Sequence, residues 1–356
     1  MSEVKFGNTL SLEQAAKLIV ATPMNRYLLQ GEPGIGKSSI LEALGEMLPT
    51  HDTAYIDVPA LDLGDTAMPV IERETRTTTY FPNGRFKLHT GKPVIIMLDE
   101  FTKATSVAVK NMLHPLLESK NPRLGDLSIH PESIIFLTGN LTSDGVGDSL
   151  QAHTRNRIIP IHIAKPSALQ WIKWAINNYI SPVVIAWVNQ TPHCLESYTT
   201  SPDNNNPYNY HPKSPQKAFI SPRSLERMSN IIKEKDKVDE ESLLCGLAGA
   251  GGEAGARDMQ AYIEYQDQLP TWEAIVKHPE STIVPTGAGA CSVLIFGAVL
   301  KVDKDTIVPF MKYLERFEAE WQACFAITLA QNPVKKLMAY KSKTFIDWIA
   351  KNEDLL

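Results

Sequence analysis

The first half of the chain alternates short apolar runs rich in β-branched residues with stretches in which apolar residues recur at helical spacing. That alternation predicts a parallel sheet with crossover helices. Five strands are expected: Arg26 to Gln30, Ala54 to Val58, Val94 to Leu98, Ile134 to Thr138 and Ile158 to Ile163. Helices are expected over Ser11 to Ala21, Lys37 to Met47 and Ser106 to Ser119. In the last, Val107, Val109, Met112, Leu113, Leu116 and Leu117 make a broad apolar stripe. Between the second and third strands, TRTTTYFPNGRFKL sets β-prone Thr, Tyr and Phe before Pro82-Asn83-Gly84. This predicts a hairpin-like excursion, too polar to be core.

After Lys165 the pattern changes. ALQWIKWAINNYI and PVVIAWVNQ read as amphipathic helices carrying three tryptophans, and strand signals become scarce. The expected organisation is an α/β core over 1–165, a helical lid over 166–265 and a C-terminal helical extension over 266–356. Residues 199–217 are rich in Pro and Asn without periodicity, which predicts a long, exposed and mobile loop. GLAGAGGEAGA, residues 246–256, imitates a dinucleotide fingerprint through Gly249, Gly251 and Ala254. It follows a helical stretch instead of a strand, so close helix packing through small residues is expected.

Composition narrows the class of protein. With 356 residues, 43% hydrophobic and 21% charged, the chain suits a soluble globular protein with a large core. Its net charge of −5 and lack of a long basic run weigh against a nucleic-acid duplex as partner. The four cysteines are widely spaced and read as reduced thiols, and the nine histidines show no ligand spacing. The N-terminus lacks a charged stretch followed by an apolar core, and no window approaches eighteen apolar residues. A cytoplasmic location without membrane contact is expected.

The chemistry is concentrated after the strand ends. GEPGIGKS comprises Gly31, Glu32, Pro33, Gly34, Ile35, Gly36, Lys37 and Ser38, fits G-x-x-x-x-G-K-[ST], and stands between a strand and a helix; Ser39, next in the chain, is counted with it as nucleotide-binding. Its glycines let backbone N–H groups wrap phosphates, Lys37 reaches the β- and γ-phosphates of ATP, and Ser38 ligates Mg. VIIMLDE ends an apolar strand in two carboxylates: Asp99 would hold Mg and Glu100 would polarise the attacking water. SIIFLTGN ends at Asn140, where a polar side chain can orient that water or touch the γ-phosphate. Arg155 and Arg157 precede the fifth strand, and Arg223 sits in the first turn of a helix, where the helix dipole does nothing for it.

With these residues in place, the chain resembles the MoxR-type branch of AAA+ ATPases across most of its length. The likeness lies in PALDLGDTAMP, in YFPNGRFKLHTGKPVIIMLDEFTKA, in LLESKNPRLGDLSIHPESIIFLTGN with a hairpin before the strand that ends at Asn140, and in GVGDSLQAHTRNRI. The later segments, including SPRSLERMS and GEAGARDMQAYIEYQDQLP, are similar to a bacterial and phage subfamily typically paired with a von Willebrand factor A-like, metallopeptidase-like protein. The resemblance implies a ring, usually hexameric, that hydrolyses ATP to remodel or assemble a partner. It casts Asn140 as sensor 1, Arg223 as sensor 2 and Arg157, with Arg155 as the alternative, as the arginine presented to a neighbour. Ile158 stands where the family has Phe, and Phe101-Thr102 where Ile-Asn is usual. Two other readings are a nucleic-acid helicase, translocase or loader on the same core, and a scaffold that binds nucleotide without hydrolysis.

Overall fold

The computed structural model describes residues 9–103, 106–141, 150, 152–199, 206–212 and 216–355. The chain forms two compact units, Met1–Lys165 and Pro166–Leu356.

The first unit is built on strands β1 (Thr9–Leu10), β2 (Tyr27–Gln30), β3 (Asp52–Asp57), β6 (Val94–Asp99), β9 (Ile134–Gly139) and β10 (Ile159–Ile163). They lie in the order β1-β10-β2-β9-β6-β3, every pair parallel. The sheet therefore has six strands instead of the expected five. The sixth is a two-residue edge strand, too short to leave a periodic signature.

Helices α1 (Leu12–Ala21) and α2 (Ser39–Met47) cover one face, where Ile19, Ile40 and Leu44 pack on Leu29, Met97 and Phe136. Helix α3 (Val107–Leu113) covers the other, where Val109 and Leu113 meet Leu28, Ile96 and Ile135. The helix expected to reach Ser119 stops at Leu113 and continues as a 3₁₀ turn, His114–Leu117. Pro115 is the cause, because it lacks the N–H that the α-helical ladder would need. A four-residue helix, α4 (Ala152–Arg155), precedes β10.

Two antiparallel hairpins stand off this sheet. In the first, β4 (Ala67–Glu72) pairs with β5 (Thr77–Pro82), turning at residues 73–76 with Arg76 in the left-handed region. The excursion is thus a hairpin whose turn lies earlier than Pro82-Asn83-Gly84. That triplet instead leads into a 3₁₀ turn, Gly84–Phe86, capped by Asn83, which drives Phe86 fully into the core. The second hairpin, β7 (Arg123–Leu124) with β8 (Leu127–Ser128), precedes β9. Asp126 fastens it to the first by accepting from the Tyr80 amide at 2.7 Å.

The second unit is helical: α5 (Ala168–Asn177), α6 (Pro182–Gln190), α7 (Pro222–Lys233), α8 (Glu240–Gln268), α9 (Trp272–Lys277), α10 (Ala288–Lys301), α11 (Ile307–Leu314), α12 (Ala319–Gln331), α13 (Lys336–Ala339) and α14 (Lys343–Lys351). One hydrophobic cluster runs through it from Trp171 through Trp187, Leu247, Phe296 and Phe325 to Trp348. Residue 265, where the sequence suggests dividing lid from extension, falls inside α8.

The small-residue stretch at 246–256 lies in α8. A Cβ on Gly251 would sit 2.5 Å from Met228 Sδ, and one on Gly255 2.9 Å from Ile220 Cδ1. Those glycines admit neighbouring side chains. Of the expected exposed loop, 200–205 and 213–215 lie outside the described residues. Tyr208 is tied down: its hydroxyl donates to Asp258 at 2.7 Å, beside Trp187 Nε1 at 3.0 Å on the same carboxylate oxygen.

Candidate active site

In a parallel sheet the C-terminal strand ends share one edge, and ligands bind in the crevice outside it. Here that edge carries the loop after β2, Asp99 at the end of β6 and Asn140 just past β9.

The loop Gly31 to Ser38 is shaped by positive φ at Gly34 (76°) and Gly36 (99°), a region costly for residues with a Cβ. Gly31 is needed for proximity: a Cβ there would lie 2.6 Å from Ile35 Cδ1 and 2.9 Å from the Ile163 carbonyl. After Gly36 the chain makes a tight turn, with amides of Ser39 and Ile40 bonding back to the carbonyls of Gly36 and Lys37. Helix α2 consequently starts at Ser39, two residues later than the pattern suggests. Ser38, at its N-cap, makes no side-chain capping bond, and Ser39 Oγ donates to the Gly36 carbonyl at 2.6 Å.

Lys37 is folded over its own loop. Its Nζ donates to the carbonyls of Gly31 (2.6 Å) and Glu32 (2.9 Å) and to Asn140 Oδ1 (3.2 Å). Lys37 and Asn140, 103 residues apart, thus meet at one ammonium group. The Glu32 carboxylate points inward instead, buried 4.0 Å from the ammonium of the equally buried Lys165. Pro33 and Ile35 shape the loop, Ile35 by packing in the core beneath it.

Asp99 is held from both sides. Tyr55, on edge strand β3, donates from its hydroxyl to Oδ2 at 2.7 Å, and Thr138 of β9 donates to Oδ1. Burial first and the Asp99 carboxylate second push the Tyr55 phenol well above its usual range. Glu100 adopts a left-handed backbone (φ 50°), its amide donating to Thr138 Oγ1 at 3.1 Å. Its carboxylate pairs with Lys103 Nζ at 2.7 Å, which raises the lysine's pKa. Thr138 therefore holds both the Asp99 carboxylate and the Glu100 amide, and neither it, inside SIIFLTGN, nor Tyr55 is assigned a role by the sequence motifs. The only sequence sign of them is strand position: each is polar on the strand face that carries α1 and α2.

Arg155 and Arg157 stand elsewhere in the first unit. Arg157 precedes β10, at the opposite end of the sheet from the loop. Its Nε donates to Glu118 Oε1 at 2.9 Å and its Nη1 to the His153 carbonyl at 2.7 Å. Arg155 closes α4 with an exposed side chain. Arg223 belongs to the second unit, exposed in the first turn of α7 and without a side-chain partner among the described residues.

Ser38 and Asp99 offer a hydroxyl and a carboxylate, the hard oxygen donors that suit Mg. Among the described residues no group of three or more His, Cys, Asp or Glu could hold a metal by itself. A cation here would need further oxygens from water or phosphate, as Mg commonly takes. No helix of the described residues is long and apolar enough to cross a membrane.

A solved structure of a “putative ATPase” from Cytophaga hutchinsonii is similar over 68% of this chain and 81% of that one, at 12% identity and a TM-score of 0.33. That likeness is too loose to bear on function. No curated protein sequence matches. The family model of the AAA domain, dynein-related subfamily, matches residues 26–157, from the strand before the loop to the arginine after α4. The chain therefore carries an AAA ATPase domain over residues 26–157.

Proposed function

We propose that this protein hydrolyses ATP with Mg where copies of the chain meet in a ring, hexameric by its resemblance to MoxR-type ATPases, and uses the cycle to remodel or assemble a protein partner. The observation that carries the reading is the division of the site. Lys37, Asn140, Asp99 and Glu100 gather at one edge of the sheet, while Arg157 and Arg155 lie beyond the other. Strand β10 pairs with β2 in parallel, Ile159 opposite Tyr27, so Arg157 is one strand length, about 13 Å or more, from its own phosphate loop. An arginine so placed serves a nucleotide held by a neighbour.

In this reading the loop amides and Lys37 bind the phosphates, the ammonium exchanging its carbonyl partners for phosphate oxygens. Ser38 and Asp99 would hold Mg, which when bound would supply positive charge to offset that of the phosphates. Glu100, released from Lys103, takes a proton from the attacking water, and Asn140 orients that water. Arg157 of the adjoining copy stabilises the charge that develops on the transferred phosphoryl group; for Arg223 a sensor 2 role is proposed from the resemblance alone. A partner with a von Willebrand factor A-like domain is proposed from the resemblance alone. The first hairpin, where Val70, Ile71, Tyr80 and Phe81 are exposed, is a candidate contact for it, whereas Arg85 is engaged with Asp65 at 2.6 Å.

The test is a mixing experiment. Arg157→Ala alone should lose about a thousandfold in turnover. Mixed with Lys37→Ala, it should regain activity, because each variant supplies what the other lacks. Absence of rescue refutes the division between copies; rescue by Arg155→Ala but not Arg157→Ala would move the role to Arg155. Strong stimulation by DNA would replace the protein-remodelling reading with a nucleic-acid motor.

A further inference from the structure

We infer that Tyr55 is a positioning residue for the Asp99 carboxylate and, through it, for the divalent cation; the inference rests on the ATPase reading above. Asp99 receives one side-chain donor on each oxygen, Tyr55 on Oδ2 and Thr138 on Oδ1. Each oxygen keeps a lone pair for a cation or its water, while the pair of donors fixes the plane of the carboxylate. Thr138 also accepts from the Glu100 amide, so its proton is committed to Asp99.

Tyr55 is well suited to the second donor. Residue 55 lies opposite Met97 in the parallel register, and Asp57 lies opposite Asp99. Tyr55 and Asp99 are therefore diagonal neighbours on one face, a span too long for a serine or threonine hydroxyl but within reach of a phenol. The side chain is not there to fill core. It is 52% exposed on an edge strand, and its hydroxyl makes its bond to this carboxylate. Asp57 and Glu100 add negative charge around the same phenol, and their repulsion would turn an unheld Asp99 carboxylate aside.

The experiment uses the full chain with Tyr55→Phe, which keeps the ring and removes the donor. Binding of a fluorescent ATP analogue is measured with Mg and with EDTA, alongside melting temperature and the Mg dependence of turnover. In Mg-free buffer, affinity and melting temperature should match the wild type. With Mg, the gain in affinity should shrink about tenfold and half-saturation should need about tenfold more cation, while turnover at saturating Mg stays within about threefold. Thr138→Val should shift the Mg dependence the same way.

Unchanged Mg dependence in Tyr55→Phe, beside a wild type that hydrolyses Mg-ATP, overturns the inference and leaves the ATPase reading intact. Equal weakening with and without Mg, together with a lower melting temperature, overturns it in favour of a packing role. A wild type whose nucleotide affinity and turnover ignore Mg overturns both.

Discussion

The two ends of the central sheet are both polar, yet they are built to opposite purposes. At the C-terminal edge, Lys37 rests on carbonyls and an amide oxygen, Glu100 on an exposed lysine in a left-handed conformation, and Ser38 makes no capping bond. These are partners that a phosphate can displace. At the N-terminal edge, Arg26 is almost wholly buried, its guanidinium spread over the carbonyls of Pro23, Met24, Leu116 and Glu118. Burial pulls it down to about 10, and no carboxylate pairs with it among the described residues. It neutralises the negative ends of a 3₁₀ turn and of the segment after α1, a fixed structural task. Charge at one end is exchangeable and at the other is locked.

Four measurements would break or sharpen that contrast. Glu100→Gln should give the largest effect, a loss of turnover of about a thousandfold with nucleotide binding retained. Turnover within a few fold of wild type would show that the open edge does no chemistry through this acid. Arg26→Met comes next: it strands several buried carbonyls and should lower stability by about 3 kcal/mol, seen by denaturant titration. An unchanged midpoint would mean that the closed edge is not locked by Arg26.

Glu118→Gln probes the border between the two behaviours, because Arg157 pairs with Glu118 at partial exposure. If the pair aims the arginine, turnover should fall about threefold, in keeping with an ion pair worth up to ~1 kcal/mol. A rise would show that Glu118 restrains Arg157.

The smallest effect concerns His114, whose Nε2 is buried without a hydrogen-bond partner among the described residues and whose ring meets that of His153 at 5.0 Å. Burial, then Arg157 and His153, hold its pKa below the ordinary 6.5, with Glu118 opposing. The folded state thus favours the neutral ring, and the unfolded chain binds more protons below 6.5. Stability is full above that value and falls as pH drops through it. Melting curves at pH 7.5 and 5.5 should show a smaller acid loss for His114→Phe than for wild type; equal losses would remove His114 from the account.

What the sequence revealed follows how each feature is encoded. Buried parallel strands such as Val94 to Asp99 appear as continuous apolar runs, and the glycine loop Gly31 to Ser38 is contiguous, so the shape of both is legible residue by residue. Thr9–Leu10 is too short to show a period. The turn at 73–76 uses Arg73, Glu74, Thr75 and Arg76 in place of Gly, Asn or Pro, so the stronger turn signal at Pro82-Asn83-Gly84 misleads. Tyr55 and Thr138 escape for a different reason: their roles depend on register between strands that the chain reaches 40 or so residues apart, which no local pattern records.

The pairing of β10 with β2 has a mechanical consequence. Four registered residue pairs tie the strand that begins just after Arg157 to the strand that delivers Gly31. They hold the two ends apart, and they also join them as one stiff strut. In a ring, a load placed on Arg157 by a neighbour's nucleotide would travel along that strut to this copy's own phosphate loop, without passing through any flexible connection.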